Sequence, residues 1–274
     1  MIVQGIKGLF RNVRIVLLAL FLGAVIMFVV VMATRDDSKS AFSEIKDLPK
    51  RTTEKNLEIQ EQYSNLTDIY DFNETSVGID ISTWQGAINF ENVKNEGVEF
   101  VMIRCGYRKS HTEIEEDDRF EEYMKAAANQ GLNIGIYFYS TASTEIEALA
   151  EAKWVVEKIK DYKITYPVVY DLENIGEYST AGLSMQQINK NAKVFLDYIA
   201  NNGYVAGLYS NGYDLNHRWN LSYLKNYLIW YAHYTDEPDY NGNYVMWQYT
   251  DEGTVKGISG NVDLNIAYFK YIGV

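Results

Sequence analysis

The chain has 274 residues, of which 47% are hydrophobic and 14% aromatic. This is enough apolar material for one sizeable core, and it excludes a largely disordered chain. The formal net charge of −12 excludes nucleic acid as a partner, because affinity for a polyanion depends on Lys and Arg that neutralise phosphates. Anionic polymers at a cell surface would also repel the protein, so charge attraction alone would not hold it at such a surface.

The first apolar segment, Ile15–Ala33, contains no charged residue. At about 1.5 Å rise per residue, these 19 positions nearly span the hydrocarbon layer of a bilayer. Three basic residues precede the segment: Lys7, Arg11 and Arg14. Arg35 follows it but is offset at once by two acids, so the basic end is expected to stay in the cytoplasm.

The sequence therefore predicts a cytoplasmic N-terminus over residues 1–14 and a transmembrane anchor over residues 15–33, in the membrane of a bacterial cell. A cleaved signal peptide is the alternative, but the apolar run is longer than a typical signal core and no clear small-x-small site follows. Residues 34–76 are polar and charged and predict an extracytoplasmic stalk, within which residues 57–69 are compatible with a helix.

Short apolar runs alternate with amphipathic ones from Val77 to Val274, the predicted extracytoplasmic domain. The predicted strands are Val77–Ile81, Phe100–Cys105, Asn133–Tyr139, Val168–Leu172, Ala206–Ser210, Leu228–Ala232, Val245–Tyr249 and Val262–Ile266. The predicted helices are Arg119–Asn129, Glu145–Lys160 and Ser184–Asn201. This alternation predicts an α/β fold, a TIM-like (β/α) barrel, made irregular by three short final connections.

The single cysteine, Cys105, leaves no disulfide within this sequence and lies in an apolar strand, so we expect a buried core thiol. The 23 Tyr and 5 Trp exceed what a core needs. Aromatic residues in a carbohydrate groove and Tyr as amphipathic strand residues are both compatible with this surplus.

Four acidic residues lie at or directly after predicted strand ends: Asp80, Asp171, Glu173 and Asp263. Catalytic groups of such barrels gather where the strands end, so we expect these carboxylates to converge. Asp171 and Glu173 point the same way, about 6–7 Å apart along the chain. Glycoside hydrolysis requires two carboxyls, one to protonate the leaving oxygen and one to stabilise or attack the sugar carbon. Considered without the other two acids, Asp171 and Glu173 could equally be solvated residues at the end of a strand.

Other chemistries fit the sequence less well. The three histidines, His111, His217 and His233, are far apart and lack the spacing of zinc ligands, so we expect no metal. The absence of a G-x-S-x-G elbow and of a phosphate-binding loop disfavours a serine hydrolase and a nucleotide-binding protein.

Six segments share a pattern with one known family: Gly78–Gly86, Ile103–Tyr107, Gly135–Ser140, Tyr170–Glu173, Trp247–Tyr249 and Val262–Asn265. In this order, and at strand ends, they resemble the muramidases of glycoside hydrolase family 25 over about Val77 to Val274. The resemblance implies an irregular single-domain barrel without metal or other cofactor. It also implies retaining hydrolysis of the β-1,4 bond between N-acetylmuramic acid and N-acetylglucosamine in the glycan strand of peptidoglycan.

On this resemblance Glu173 is expected to be the general acid/base, Asp171 its partner carboxylate, and Asp80 and Asp263 flanking acids. An ionised Asp171 would raise the pKa of Glu173. Whether Asp171 attacks the sugar carbon or steadies the substrate's acetamido group stays open, and both routes retain configuration. The candidate substrate-binding residues are Trp84, Arg104, Tyr139, Trp230, Trp247 and Gln248, all of which are also compatible with barrel packing.

The sequence departs from the family at Tyr231, where an aliphatic residue is more usual, and this puts the local shape of the groove in question.

A chitinase-like glycosidase would need acids where Tyr166 and Val169 stand. A wall-binding scaffold without turnover is the second alternative, disfavoured by the presence of all four acids. The sequence predicts no particular oligomeric state.

Overall fold

A computed structural model describes residues 51–176 and 180–273 of the chain. The predicted cytoplasmic segment, the predicted anchor and the first part of the predicted stalk lie outside these residues. Within the described ranges, no helix is both long enough and apolar enough to cross a membrane.

The described chain alternates strands and helices, as predicted. The strands are β1 (Tyr70–Asp71), β2 (Ser76–Ile81), β3 (Phe100–Ser110), β4 (Glu113–Glu116), β5 (Asn133–Tyr139), β6 (Val168–Asp171), β7 (Ala206–Asn211), β8 (Leu228–Ala232), β9 (Met246–Gly253), β10 (Val262–Ala267) and β11 (Lys270–Tyr271). The α-helices are α1 (Thr53–Gln62), α2 (Phe90–Asn95), α3 (Phe120–Asn129), α4 (Glu145–Ile159), α5 (Met185–Asn201) and α6 (Gly212–His217). The three predicted helices correspond to α3, α4 and α5.

Eight strands close into a barrel in the order β2, β3, β5, β6, β7, β8, β9 and β10, with β10 returning to β2. The predicted eight-stranded α/β barrel is therefore confirmed. Seven of the strands run parallel, whereas β10 is antiparallel to both of its neighbours. The sequence did not predict this reversal, which a short connection from β9 makes possible.

Local sequence explains where the main helices begin and which face they bury. Thr144 and Glu147 form a capping box at the start of α4, and Ser184 caps α5. On α3 the buried residues follow helical spacing: Phe120, Tyr123, Met124 and Ala127. These helices cover the outside of the barrel, and Cys105 is buried beneath them as the expected core thiol.

Residues 51–72, here called the N-terminal strap, were expected to be stalk but instead pack on the barrel. The strap buries five apolar or aromatic side chains: Ile59, Tyr63, Leu66, Tyr70 and Phe72. They form one cluster with residues at the starts of the parallel strands, including Phe100 and Leu228, and with Phe269 after β10. The short strand β1 also pairs with β11. The strap therefore closes the end of the barrel where the parallel strands begin.

A signal for the strap was present in the sequence. Ile59, Tyr63 and Leu66 follow the i, i+4, i+7 spacing of one helical face. The many charged residues between them make the segment polar on average and obscure that face.

Truncating one buried strap residue should destabilise the whole domain. Phe72→Ala removes a ring that packs 6.0 Å from Phe269 and 6.2 Å from Tyr70, measured between ring centroids. We expect the free energy of unfolding to fall by about 3–5 kcal/mol, as measured by chemical denaturation. Leu57→Ala, at an exposed position of the same strap, is the matched control and should change it by less than about 0.5 kcal/mol. Equal stability of the two variants would show that the strap is not part of the folded core.

Candidate active site

All four predicted acids line one cavity of about 390 Å³ at the rim where the parallel strands end. Asp80 lies near the end of β2, Asp171 is the last residue of β6, and Glu173 follows two residues later. Asp263 is the second residue of β10, so the expectation that it ends a strand is corrected. Because β10 is antiparallel, its beginning lies at this same rim, where Asp263 pairs with Asp80.

The Asp80 carboxylate is buried and fixed by two side-chain amides. Its Oδ1 accepts hydrogen bonds from Gln248 Nε2 at 2.9 Å and from Asn265 Nδ2 at 2.6 Å. Burial raises the pKa of Asp80 to about 6, and the two hydrogen bonds limit that rise because they stabilise the ionised form.

Asp171 is equally buried but has a different environment. Among the described residues, no hydrogen-bond donor reaches its Oδ1. Burial raises the pKa of Asp171 well above its ordinary value, and the negative charges of Glu173 and Asp80 raise it further, whereas Arg104 lowers it. The proton affinity of Asp171 therefore depends on the charge of its neighbours.

Glu173 and Asp263 also hold their protons more tightly than carboxyls in water. Glu173 is exposed at the mouth of the cavity, and partial removal from water raises its pKa. Burial, followed by the charges of Asp80 and Asp251, raises the pKa of Asp263 to about 8. The cavity thus combines acids of different proton affinity, which is the arrangement that acid/base chemistry requires.

Five of the six predicted substrate-binding residues line the cavity: Trp84, Arg104, Tyr139, Trp230 and Gln248. Trp84 is 80% exposed on a single 3-10 turn and can offer its ring to a ligand. Arg104 is bound to Asp117 at 2.7 Å. Trp247 does not line the cavity, because it is fully buried outside the barrel and its Nε1 donates to the His233 carbonyl oxygen at 2.9 Å.

Three tyrosines that the sequence analysis missed also line the cavity: Tyr137, Tyr209 and Tyr234. Tyr137 lies two positions before Tyr139 on β5, so strand alternation places both on one face and could have identified it. Tyr231, where the sequence departs from the family pattern, faces away from this cavity. Its hydroxyl donates to Asp239 Oδ1 at 2.6 Å, and its ring packs in the outer core.

Residues 79–258 match the family described as Glycosyl hydrolases family 25. The chain belongs to this family. Its family 25 domain is 34% identical over 190 residues to the autolytic lysozyme of Clostridium acetobutylicum, a match that covers 69% of this chain and 54% of that protein. It is 30% identical over 204 residues to lysozyme M1 of Streptomyces globisporus, covering 69% of this chain and 66% of the relative.

Among solved structures, the family 25 domain resembles the modular autolysin LytC from Streptococcus pneumoniae in complex with a synthetic peptidoglycan ligand. The TM-score is 0.63 at 26% identity, and the match covers 72% of this chain and 47% of that one. The chain thus spans about half the length of the clostridial lysozyme and of this autolysin. The shared region is a glycoside hydrolase domain of the lysozyme type.

Proposed function

We propose that the protein hydrolyses peptidoglycan as an endo-β-1,4-N-acetylmuramidase, cutting between N-acetylmuramic acid and N-acetylglucosamine with retention of configuration. The observation that carries the proposal is the convergence of Asp80, Asp171, Glu173 and Asp263 in one cavity of a family 25 domain. The peptidoglycan ligand in the structure of a related autolysin supports the glycan strand as substrate.

Glu173 is the proposed general acid/base. It stands at the open mouth of the cavity, where a polymer can reach it, and its raised pKa favours the protonated form needed for the first step. In that step Glu173 gives its proton to the glycosidic oxygen as the bond from that oxygen to the sugar carbon breaks. In the second step the Glu173 carboxylate takes a proton from the water that attacks the same carbon.

Asp171 is the proposed partner carboxylate, deeper in the cavity than Glu173. It either attacks the sugar carbon itself or steadies the substrate's acetamido group, which then attacks. Both routes pass through two inversions and retain configuration. Asp80 and Asp263 flank this pair, and Trp84 and Tyr139 line the cavity where a sugar ring would lie.

Digestion of defined peptidoglycan, followed by reduction and mass spectrometry, tests this function. A muramidase leaves N-acetylmuramic acid at the new reducing end, whereas a glucosaminidase leaves N-acetylglucosamine. Folded protein that binds peptidoglycan but releases no fragment, and gives no clearing in a zymogram, would instead support a non-catalytic scaffold.

We further propose that residues 15–33 hold the enzyme in the membrane of a bacterial cell, with the N-terminus inside and the catalytic domain outside. The uncharged apolar run, with basic residues before it, supports this topology. A membrane anchor would also offset the repulsion between a chain of net charge −12 and anionic wall polymers.

Protease added to intact protoplasts should remove the catalytic domain, because the proposed topology places it on the outer surface. Immunoblotting against an epitope in the domain and against a cytoplasmic marker measures the result. The marker should survive until the membrane is breached. If the domain survives together with the marker, the proposed topology is wrong.

A further inference from the structure

The four carboxyls of the cavity differ in the hydrogen-bond donors that reach them, and these donors favour one carboxyl as the permanent negative charge of the site. Carboxylates that share one cavity repel each other, so they cannot all ionise near neutral pH. Among the described residues that line the cavity, the one cation is Arg104, and its guanidinium is already bound to Asp117. Neutral hydrogen-bond donors must therefore decide where the negative charge settles.

The Asn265 amide has only one possible orientation. The indole Nε1 of Trp230 lies 2.8 Å from Asn265 Oδ1, and an indole N–H can only donate. The atom that it reaches must therefore be the amide oxygen. The other end of the same amide, Nδ2, then faces Asp80 Oδ1 as an obligatory donor.

The Gln248 amide, on the neighbouring strand β9, is the second donor to Asp80. Its Oε1 accepts hydrogen bonds from the hydroxyls of Tyr209 at 2.7 Å and Tyr234 at 3.1 Å. Burial raises the pKa of both tyrosines, so these hydroxyls keep their protons. The other end of the amide, Gln248 Nε2, donates to Asp80, so the Oδ1 atom of Asp80 accepts from two amides at once.

We propose, building on the hydrolase function above, that Gln248 and Asn265 are positioning residues that keep Asp80 ionised throughout the reaction, so that protons are exchanged only among Asp171, Glu173 and Asp263. Gln248 lines the cavity, and both ends of its amide also have partners within the protein. Asp171 shows the contrast, since its buried Oδ1 has no donor among the described residues.

The groups that line the cavity around Asp80 are consistent with this assignment. They come from six elements or their ends: Arg104 of β3, Tyr137 of β5, Asp171 and Glu173 at the end of β6, Tyr209 of β7, Tyr234 after β8, and Asp263 of β10. The negative charge of Asp80 raises the pKa of both Asp171 and Asp263. Asp80 therefore acts as a fixed charge that raises the proton affinity of Asp171 and Asp263.

The test is Gln248→Met, which keeps the length of the side chain but removes the donor. Losing one hydrogen bond to a charged group should raise the pKa of Asp80 by about one unit. The carboxyl signal of Asp80, observed by NMR in full-length protein labelled with ¹³C at aspartate and identified by its loss in Asp80→Asn, reports that pKa directly. Gln60→Met, which removes an exposed amide of the strap, is the control and should leave the titration unchanged.

The pH profile of hydrolysis gives a second measurement. In Gln248→Met the acidic limb should move about one unit toward higher pH. Asn265→Leu should move the limb in the same direction. Adding Gln248→Met to Asp80→Asn should move it no further, because the group that the amide acts on is gone.

An Asp80 signal that titrates identically in wild type and Gln248→Met would overturn the inference. A rate that falls equally at every pH would do so too, since it would indicate a packing role only. The NMR titration needs no turnover. Failure of the proposed hydrolase function would therefore appear as absent products, independently of the Asp80 titration.

Discussion

Glu173→Gln is expected to lower hydrolysis of an ordinary glycan by at least about 10²–10⁴-fold, the range typical of lost proton transfer. Glutamine keeps the shape of the side chain but cannot donate a proton to the leaving oxygen. Binding should survive, because the cavity and its aromatic lining are unchanged. Release of reducing ends from peptidoglycan measures the rate, and calorimetry with a peptidoglycan oligosaccharide measures the affinity.

Glu91→Gln is the matched control for this variant, since Glu91 is an exposed residue of α2 away from the cavity. It should hydrolyse at the wild-type rate, and both variants should melt at the wild-type temperature. Near-wild-type turnover in Glu173→Gln would remove Glu173 from the chemistry and revive the interpretation of the protein as a wall-binding scaffold.

Asp171→Asn should be comparably damaging, and the small remaining activity should carry specific information. Glu173 raises the pKa of Asp171 by charge repulsion, and the interaction between two charges is mutual. Removing the Asp171 charge should therefore lower the pKa of Glu173 and move the alkaline limb of the pH profile to lower pH. The alkaline limb should still lie above the ordinary pKa of a glutamate in water, because partial burial continues to raise the pKa of Glu173.

The control is Asp68→Asn, which replaces an exposed acid of the strap. The alkaline limb of this control should coincide with that of the wild type, whereas the limb of Asp171→Asn should lie at lower pH. Rates are measured with a soluble peptidoglycan fragment across the pH range, on protein whose folding has been checked by circular dichroism. An unmoved limb in Asp171→Asn would show that the two carboxyls titrate independently.

Strand periodicity predicted most of the barrel, because each of its eight strands is a distinct apolar run bounded by turns. It also placed Asp80, Asp171 and Glu173 at one rim, since the ends of parallel strands meet there. The antiparallel direction of β10 was not predictable from its residues, because strand direction depends on the connections. Asp263 lies at the expected rim, but at the beginning of an antiparallel strand and not at the end of a parallel one.

Alternation along a strand could have improved the site prediction. Trp247 and Gln248 are adjacent in β9, so only one of them can face the cavity, yet both were expected to bind substrate. The amide contacts to Asp80 were beyond sequence reasoning for another reason. Gln248 and Asn265 follow Asp80 by 168 and 185 residues, and only the closed barrel brings them together.

The pairing of Asp80 with Asp263 has a consequence for the biogenesis of the enzyme. Asp80 lies on the first strand of the barrel and Asp263 on the last, so the two halves of the site are made at opposite ends of translation. A nascent or truncated chain that stops before β10 lacks Asp263, lacks the Asn265 donor and leaves the barrel open. The full set of four carboxyls is therefore assembled only when the final strand docks.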